Sequence, residues 1–308
     1  MRAVFYGTPT EAVPSLQALA ALAEVPLVVT RPDKPRGRSG KPQPPPVKEA
    51  ALSLGLEVSQ PARAGHDLDR LRALAPDVAV VVAYGQILPP DLLAVPRHGF
   101  VNVHFSLLPR WRGASPVVRT ILAGDSVSGV TLMQLDAGMD TGPVLAVSLT
   151  AVGDDETAGE LTGRLAAMGA AMLGEHLPAY IAGEISPRPQ PETGATAAAR
   201  VKVEEAFVDP SRHPAAAVLR AARAFDPKPG AWTELDGVRI KLWRARPAAG
   251  PGPEPGVAAL VEGVVLLGTA DGPVELIEVQ PEGRNRMAAG DWMRGRRLQP
   301  ARFTPPAG

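Results

Sequence analysis

The stretch "DVAVVVA", residues 77–83, decides the fold. After Asp77 it is apolar without alternation, the pattern of a strand covered on both faces rather than one with a wet side. Such strands belong to parallel sheets sandwiched between helices, and the flanking sequence agrees. Upstream, "RAVFY" at 2–6 ends in Gly7, an Ala/Leu-rich segment over 11–23 has helical spacing, and "VPLVVT" follows at 25–30. That is a βαβ unit, whose right-handed crossover places two strands parallel. Downstream, "GFVNVHF" at 99–105 reads as a further strand. "SGVTLMQLD" (128–136) and "GPVLAVSLT" (142–150) read as strands flanking a Gly-rich loop, and 156–183 as a long helix. The N-terminal part is therefore expected to be an open α/β sheet.

The character of the chain changes at "ISPRPQPETGAT", 185–196, where prolines and small residues predict a linker. Beyond it, one helix near 213–224 precedes short strand-like runs: "GAWTELDG", "VRIKLWRA", "GVVLLGTADG" and "PVELIEVQ". Gly, Pro and Asp turns separate them, which predicts a small β-barrel. The expected organisation is 1–184, a linker over 185–204, and 205–308, in keeping with a length of 308 residues.

Composition excludes several chemistries. The 32 Lys+Arg balance 32 Asp+Glu, so no global field gathers nucleic acid and any such partner must be held by local patches. There is no Cys, hence no disulfide framework, thiol nucleophile or cysteine metal site. His66, His98, His104, His176 and His213 are scattered without metal-ligand spacing, so no metal is expected. "FYGTPTEAV" lacks G-x-G-x-x-G, which argues against a dinucleotide. Nothing approaches a membrane span or a signal peptide, so a cytoplasmic protein is expected.

Asn102 and His104 share one face of their strand, and ligands of open α/β sheets bind beyond the carboxyl ends of strands. An isolated N-x-H is more often a pair of polar residues satisfied by backbone groups. "LDAGMDTGP" at 135–143 adds carboxylates in a glycine-flexible loop, from which Asp140 could accept a hydrogen bond from His104 and fix its tautomer. Taken alone, that stretch is an ordinary turn. No nucleophile elbow is present. An Asn, a His and an Asp without a nucleophile suit transfer between two bound substrates, with the amine belonging to the acceptor.

These motifs together carry a resemblance that runs nearly end to end. "FYGTP", "TRPDKPRGR" with "PPPVK", "VVVAYGQILP", "NVHFSLLPRWRGASP", "GVTLMQLDAGMDTGPVL", "RAFDPKPGAWT" and "GVVLLGTADG" resemble the methionyl-tRNA formyltransferases among the folate-dependent formyltransferases. The resemblance implies a Rossmann-like, mostly parallel sheet with helices on both faces, a linker, and a C-terminal OB-like barrel that helps to hold tRNA. It implies 10-formyltetrahydrofolate as formyl donor, initiator methionyl-tRNA as acceptor, and a monomer. Carried over by position, Asn102, His104 and Asp140 form the catalytic set. Ser106, Leu107, Leu108 and Pro109 hold the folate, and the backbone around Tyr84, Gln86, Ile87 and Leu88 lines the pterin pocket with the loop from Asp136 to Asp140. The basic loop at 31–48 would enter the acceptor end of the tRNA through Arg36, Arg38 and Lys41.

Phe105 departs from the family pattern, which favours a small residue after the His, and Val208-Asp209-Pro210 replaces the usual Ile-Asp-Trp. Trp232 and Trp243 are expected to be barrel core, and Trp111 to lie at the cleft rim. Arg284, Arg286, Arg294, Arg296, Arg297 and Arg302 form a second basic cluster that could contact RNA backbone. A formyltransferase acting on a small amine and a non-catalytic RNA-binding protein are the competing readings. The first would be expected to lack the "PDKPRGR" loop or the barrel.

Overall fold

The computed structural model describes residues 1–35, 40–297 and 299–304. The elements run β1 (Arg2–Gly7), α1 (Val13–Leu22), β2 (Glu24–Val29), β3 (Lys34–Pro35), β4 (Pro42–Gln43), α2 (Pro46–Ser53), β5 (Val58–Ser59), α3 (Leu68–Leu74), β6 (Val78–Val82), α4 (Pro90–Leu93), β7 (Phe100–His104), α5 (Pro116–Ala123), β8 (Val127–Gln134), β9 (Val144–Ala151) and α6 (Ala158–Ile181). They continue with α7 (Ala215–Ala224), β10 (Ala231–Leu235), β11 (Val238–Pro247), β12 (Val257–Val261), β13 (Val264–Gly268), β14 (Pro273–Pro281), β15 (Met287–Ala288), α8 (Ala289–Gly295) and β16 (Ala301–Arg302). The chain forms two compact units: Met1–Pro116 with Val127–Ala151 and Thr162–Ala198, and Val117–Ser126 with Val152–Leu161 and Ala199–Gly308.

The first unit is built on a seven-stranded sheet of order β5-β2-β1-β6-β7-β8-β9. The diagnostic stretch becomes β6, parallel to both β1 and β7. Both its faces are covered. Ala79 and Val81 join Val4, Tyr6, Leu27, Val29 and Phe100 in a core with Leu71 of α3 and Leu92 of α4. The intervening residues Ala3, Phe5, Val28, Val80, Val82 and Val101 are equally buried. Each large apolar side chain so placed contributes about 1.5–3 kcal/mol, a gain that a polar residue in this run would forfeit. β8 and β9 reverse the direction, pairing antiparallel to β7 and to each other. Periodicity shows that these are strands but not which way they run.

Phe105, odd against the family pattern, finds its place here. It is buried, and α6 presents Gly169 to it: a Cβ on that glycine would lie 3.7 Å from Phe105 Cε1 and inside contact distance of Val103 Cγ1. A residue without a side chain on the facing helix leaves room for the Phe105 ring. Gly169→Leu should therefore overpack this layer and cost roughly 1–3 kcal/mol, read as a lowered denaturation midpoint.

The stretch 185–196, expected as a linker, is strapped to the first unit as far as Ala198. Arg188 pairs with Val144, and Ala197 with Arg112. Its prolines favour an extended backbone, which here is held by partners rather than left free.

In the second unit the strands follow the order β10-β11-β14-β13-β12-β16. Thr304 bridges to Glu234 of β10, which closes them into a small antiparallel barrel. Trp232 and Trp243 are buried, as expected, and Trp232 donates to Val203 O at 2.9 Å. β12 and α8 carry no distinct signal in the sequence and emerge only with the barrel. Thr157 and Glu160 cap one another reciprocally at the start of α6, and with Arg244 they hold the Glu160 carboxyl down to about 2. At the atypical Val208-Asp209-Pro210, Asp209 Oδ1 accepts from Ser211 N (3.0 Å) and Oγ (2.6 Å), a turn that stands by itself.

Candidate active site

Asn102 and His104 lie on the β7 face shared with Phe100, while Val103 and Phe105 face α6. Because β8 is antiparallel to β7, the loop after β8 leaves beside Phe100, with Leu135 N donating to Phe100 O at 2.8 Å. It must fold back over the strand for Asp140 to arrive. Glycines make that path possible: a Cβ on Gly142 would collide with Gln134 O, and one on Gly138 with Thr141 Oγ1. Asp136 Oδ1 pins the turn by accepting from Gly138 N (3.0 Å) and Thr141 Oγ1 (2.8 Å). Asp140 itself adopts a left-handed backbone, φ 54°.

Asn102 Nδ2 donates to Asp140 Oδ1 at 3.3 Å, and Gly113 N donates to Asp140 Oδ2 at 2.9 Å. A carboxylate only accepts, so the amide must turn its NH2 to Asp140, and one of its two hydrogens remains available to a ligand. His104 Nε2 lies 2.9 Å from Trp111 O, while Nδ1 is 3.7 Å from Asp140 Oδ2. A carbonyl also only accepts, so Nε2 carries hydrogen. The Trp111 carbonyl, not Asp140, fixes the tautomer. Asp140 stands beyond hydrogen-bond range of His104, at ion-pair distance from Nδ1. The nitrogen left to take up and release a proton is Nδ1. Asn102 and His104 are buried, at 9% and 5% exposure, and Asp140 is half-buried, so these interactions are only weakly screened.

The turn after β7 is built by side chains that sequence reading assigned to the ligand or passed over. Ser106 is buried and its hydroxyl donates to Arg110 O at 2.7 Å, so it holds the turn. Thr131 of β8 donates to Ser106 O (2.7 Å) and accepts from Leu108 N (3.2 Å). Leu107, Leu108 and Pro109 stay half-buried. Trp111, φ 65°, is anchored by its N–H to Thr196 Oγ1 at 2.9 Å, and the Arg110 guanidinium lies 4.4 Å from its ring centroid.

On the β6 side, Tyr84 buries its ring edge-on to Tyr6 at 5.3 Å, and burial with the nearby Asp67 charge pushes its hydroxyl up to about 12. Only its backbone can face a ligand, and its carbonyl accepts from Thr8 Oγ1 at 2.8 Å. The Gln86 side chain turns inward, accepting from Ala64 N (2.8 Å) and donating to Pro61 O (3.3 Å). Leu88 packs against the core, whereas Ile87 is 90% exposed and Met139 68%. Two uncovered apolar side chains in the loops expected to line the pterin pocket fit a flat heteroaromatic ring better than they fit water.

Within the loop at 31–48, Lys34 and Lys41 are exposed, and β3–β4 makes its base a two-stranded hairpin. Lys48 is taken by Asp33, with both oxygens at 2.9 Å, and so is not spare, whereas Arg31 donates through Nη1 to Gly85 O at 2.6 Å and keeps its charge. Arg36 and Arg38 lie outside the described residues. Half of the C-terminal basic cluster is engaged in ion pairs: Arg286 pairs with Asp226 (2.9 Å), Arg302 with Glu254 (2.6 Å), and Arg294 with Asp291.

Residues 2–177 match the formyl transferase family and residues 200–297 the formyl transferase C-terminal domain. The chain belongs to the formyl transferase family. It is 49% identical over 303 residues to a methionyl-tRNA formyltransferase of Halorhodospira halophila, covering 97% of each chain. To that of Myxococcus xanthus it is 46% identical, covering 97% of this chain and 96% of the relative. Among solved structures, HypX from Aquifex aeolicus in complex with tetrahydrofolic acid superposes with a TM-score of 0.63 at 19% identity, over 95% of this chain and 47% of that one. The last likeness is one of fold. Among the described residues, no group of three or more His, Asp or Glu could hold a metal, and no helix is long and apolar enough to cross a membrane.

Proposed function

We propose that Asn102, His104 and Asp140 carry the chemistry of this formyltransferase, supported above all by their convergence on the face of β7. The enzyme transfers the formyl group of 10-formyltetrahydrofolate to the α-amino group of methionine on initiator methionyl-tRNA, the activity of relatives that match it over nearly their whole length. The donor supplies an activated formyl carbon. Around it, the free Asn102 N–H binds the formyl oxygen as negative charge develops there. His104 Nδ1 takes the proton released by the attacking amine and returns it to the departing folate nitrogen. Asp140 orients the Asn102 amide and stabilises the imidazolium by its charge.

Leu107, Leu108 and Pro109, with the backbone at Tyr84, Ile87 and Leu88 and the loop from Asp136 to Asp140, would cradle the folate. Ser106 and Gln86 would serve that cradle by holding backbone. Arg36, Arg38 and Lys41 would grip the acceptor end of the tRNA through phosphates. The catalytic domain would span 1–184, and residues 205–308, beyond the 185–204 segment, would help to hold the tRNA. The protein would work as a monomer in the cytoplasm.

The deciding assay offers purified protein fresh formyl donor with methionylated initiator tRNA, and in parallel with small amines. Formylation of the tRNA is expected; none, or transfer to the small amine alone, rejects this reading. Arg38→Ala should raise the KM for tRNA several-fold more than the KM for folate and weaken the salt dependence, because it removes a phosphate contact. Equal effects on both substrates would remove Arg38 from the RNA interface.

A further inference from the structure

One carboxamide ties together the two loops that surround the catalytic set. Gln190 Nε2 donates to Asp140 O at 2.9 Å and to Gly142 O at 2.8 Å, and Gln190 Oε1 accepts from Arg112 Nε at 3.0 Å. The carbonyls only accept and the guanidinium only donates, so the amide has a single productive orientation and both its hydrogens are used.

Apart from Asn102 on β7, the two loops so joined supply the polar partners of the His104 and Asp140 side chains. The first carries Trp111 O, which holds His104 Nε2, and Gly113 N, which holds Asp140 Oδ2. The second carries Asp140 itself. Asp140 and Trp111 are both non-glycine residues with left-handed backbones, a conformation that persists only where neighbours over-determine it. Gln190 restrains the Asp140 backbone directly. The strap holds the other loop through Arg112 N to Thr196 O (2.8 Å), Ala198 N to Arg112 O (2.7 Å) and Trp111 N to Thr196 Oγ1 (2.9 Å).

We propose that Gln190 is a positioning residue for formyl transfer, setting the place of the Asp140 carboxylate relative to Asn102 and His104 through the Asp140 backbone. This rests on the catalytic assignment above. Because a displacement of about 1 Å at a reacting group can cost up to 10²-fold, Gln190→Ala should lower kcat about 10- to 10²-fold. KM for tRNA should change less than about threefold, since Gln190 is not placed against the tRNA, and any rise in KM for folate, whose cradle includes the Asp136–Asp140 loop, should be smaller than the fall in kcat. Gln190→Glu keeps the shape but sets a carboxylate oxygen against two carbonyl oxygens, so it should do no better than Ala.

The test is single-turnover formylation with enzyme in excess for the wild type, Gln190→Ala, Gln190→Glu, Asp140→Ala and the double variant Asp140→Ala/Gln190→Ala, with thermal melts of each. A residue acting through Asp140 has little left to lose once that carboxylate is gone. The second substitution should then cost under about twofold in the Asp140→Ala background. The proposal is overturned by a Gln190→Ala rate within twofold of wild type, by a full multiplicative loss in the double variant, by a change in KM alone, or by a loss that matches the fraction unfolded at the assay temperature. An Asp140→Ala enzyme of normal rate would instead reject the catalytic assignment itself, whatever Gln190 does.

Discussion

Asn102→Ala should slow formyl transfer about 10²- to 10³-fold in single-turnover experiments while leaving the affinities for tRNA and folate nearly unchanged. The reasoning is geometric. Asn102 is buried on β7, one of its two amide hydrogens is engaged by Asp140, and the other is free to meet an oxygen that becomes negative only as the reaction proceeds. A donor fixed in advance in a site shielded from water strengthens most where charge is developing, so its loss appears in the rate rather than in ground-state binding. Asn102→Asp tests the same point with a near-isostere. It places a second carboxylate against Asp140 and offers no donor, and should be at least as slow. A kcat within threefold of wild type for both variants would leave Asn102 as a strand residue with no part in catalysis.

His104→Gln should cost about 10²- to 10⁴-fold in the same measurement, the range for a positioned acid–base group. Glutamine is the sharper choice because its amide N–H can still reach the Trp111 carbonyl that His104 Nε2 holds at 2.9 Å. The turn that carries Trp111 then keeps its anchor. What is lost is the second nitrogen, Nδ1, the one that faces Asp140 at 3.7 Å and can hold a proton in transit. A folded variant with near-normal turnover would show that the proton travels by another route. His104→Ala removes the anchor as well, and the difference between the two variants measures what the Trp111 contact contributes.

Most of the fold was legible in the sequence because burial writes itself into local pattern. The unbroken apolar run at 77–83 predicted a strand covered on both faces, and β6 is that strand. Direction was not legible. Nothing in "SGVTLMQLD" distinguishes parallel from antiparallel pairing, yet the reversal of β8 is what obliges the 135–143 loop to fold back over β7. The proline-rich stretch at 185–196 shows a related limit. Proline reports an extended backbone, not whether that backbone has partners, and here it has them in Arg112, Val144 and the Asp140 loop.

By itself, the sequence determined the chemistry available: no thiol, an Asn and a His two apart on one strand face, and an acidic, glycine-rich loop that would be an ordinary turn in isolation. Side-chain type and strand periodicity are local properties, so they can be read residue by residue. Only the tertiary structure decided that the Trp111 carbonyl rather than Asp140 sets the His104 tautomer, that Gly113 N–H holds the carboxylate, and that Gln190 locks the two loops together. Two of those groups belong to the backbone, which is the same at every position. The third acts across a separation of 50 residues, where a contact leaves no trace in local pattern.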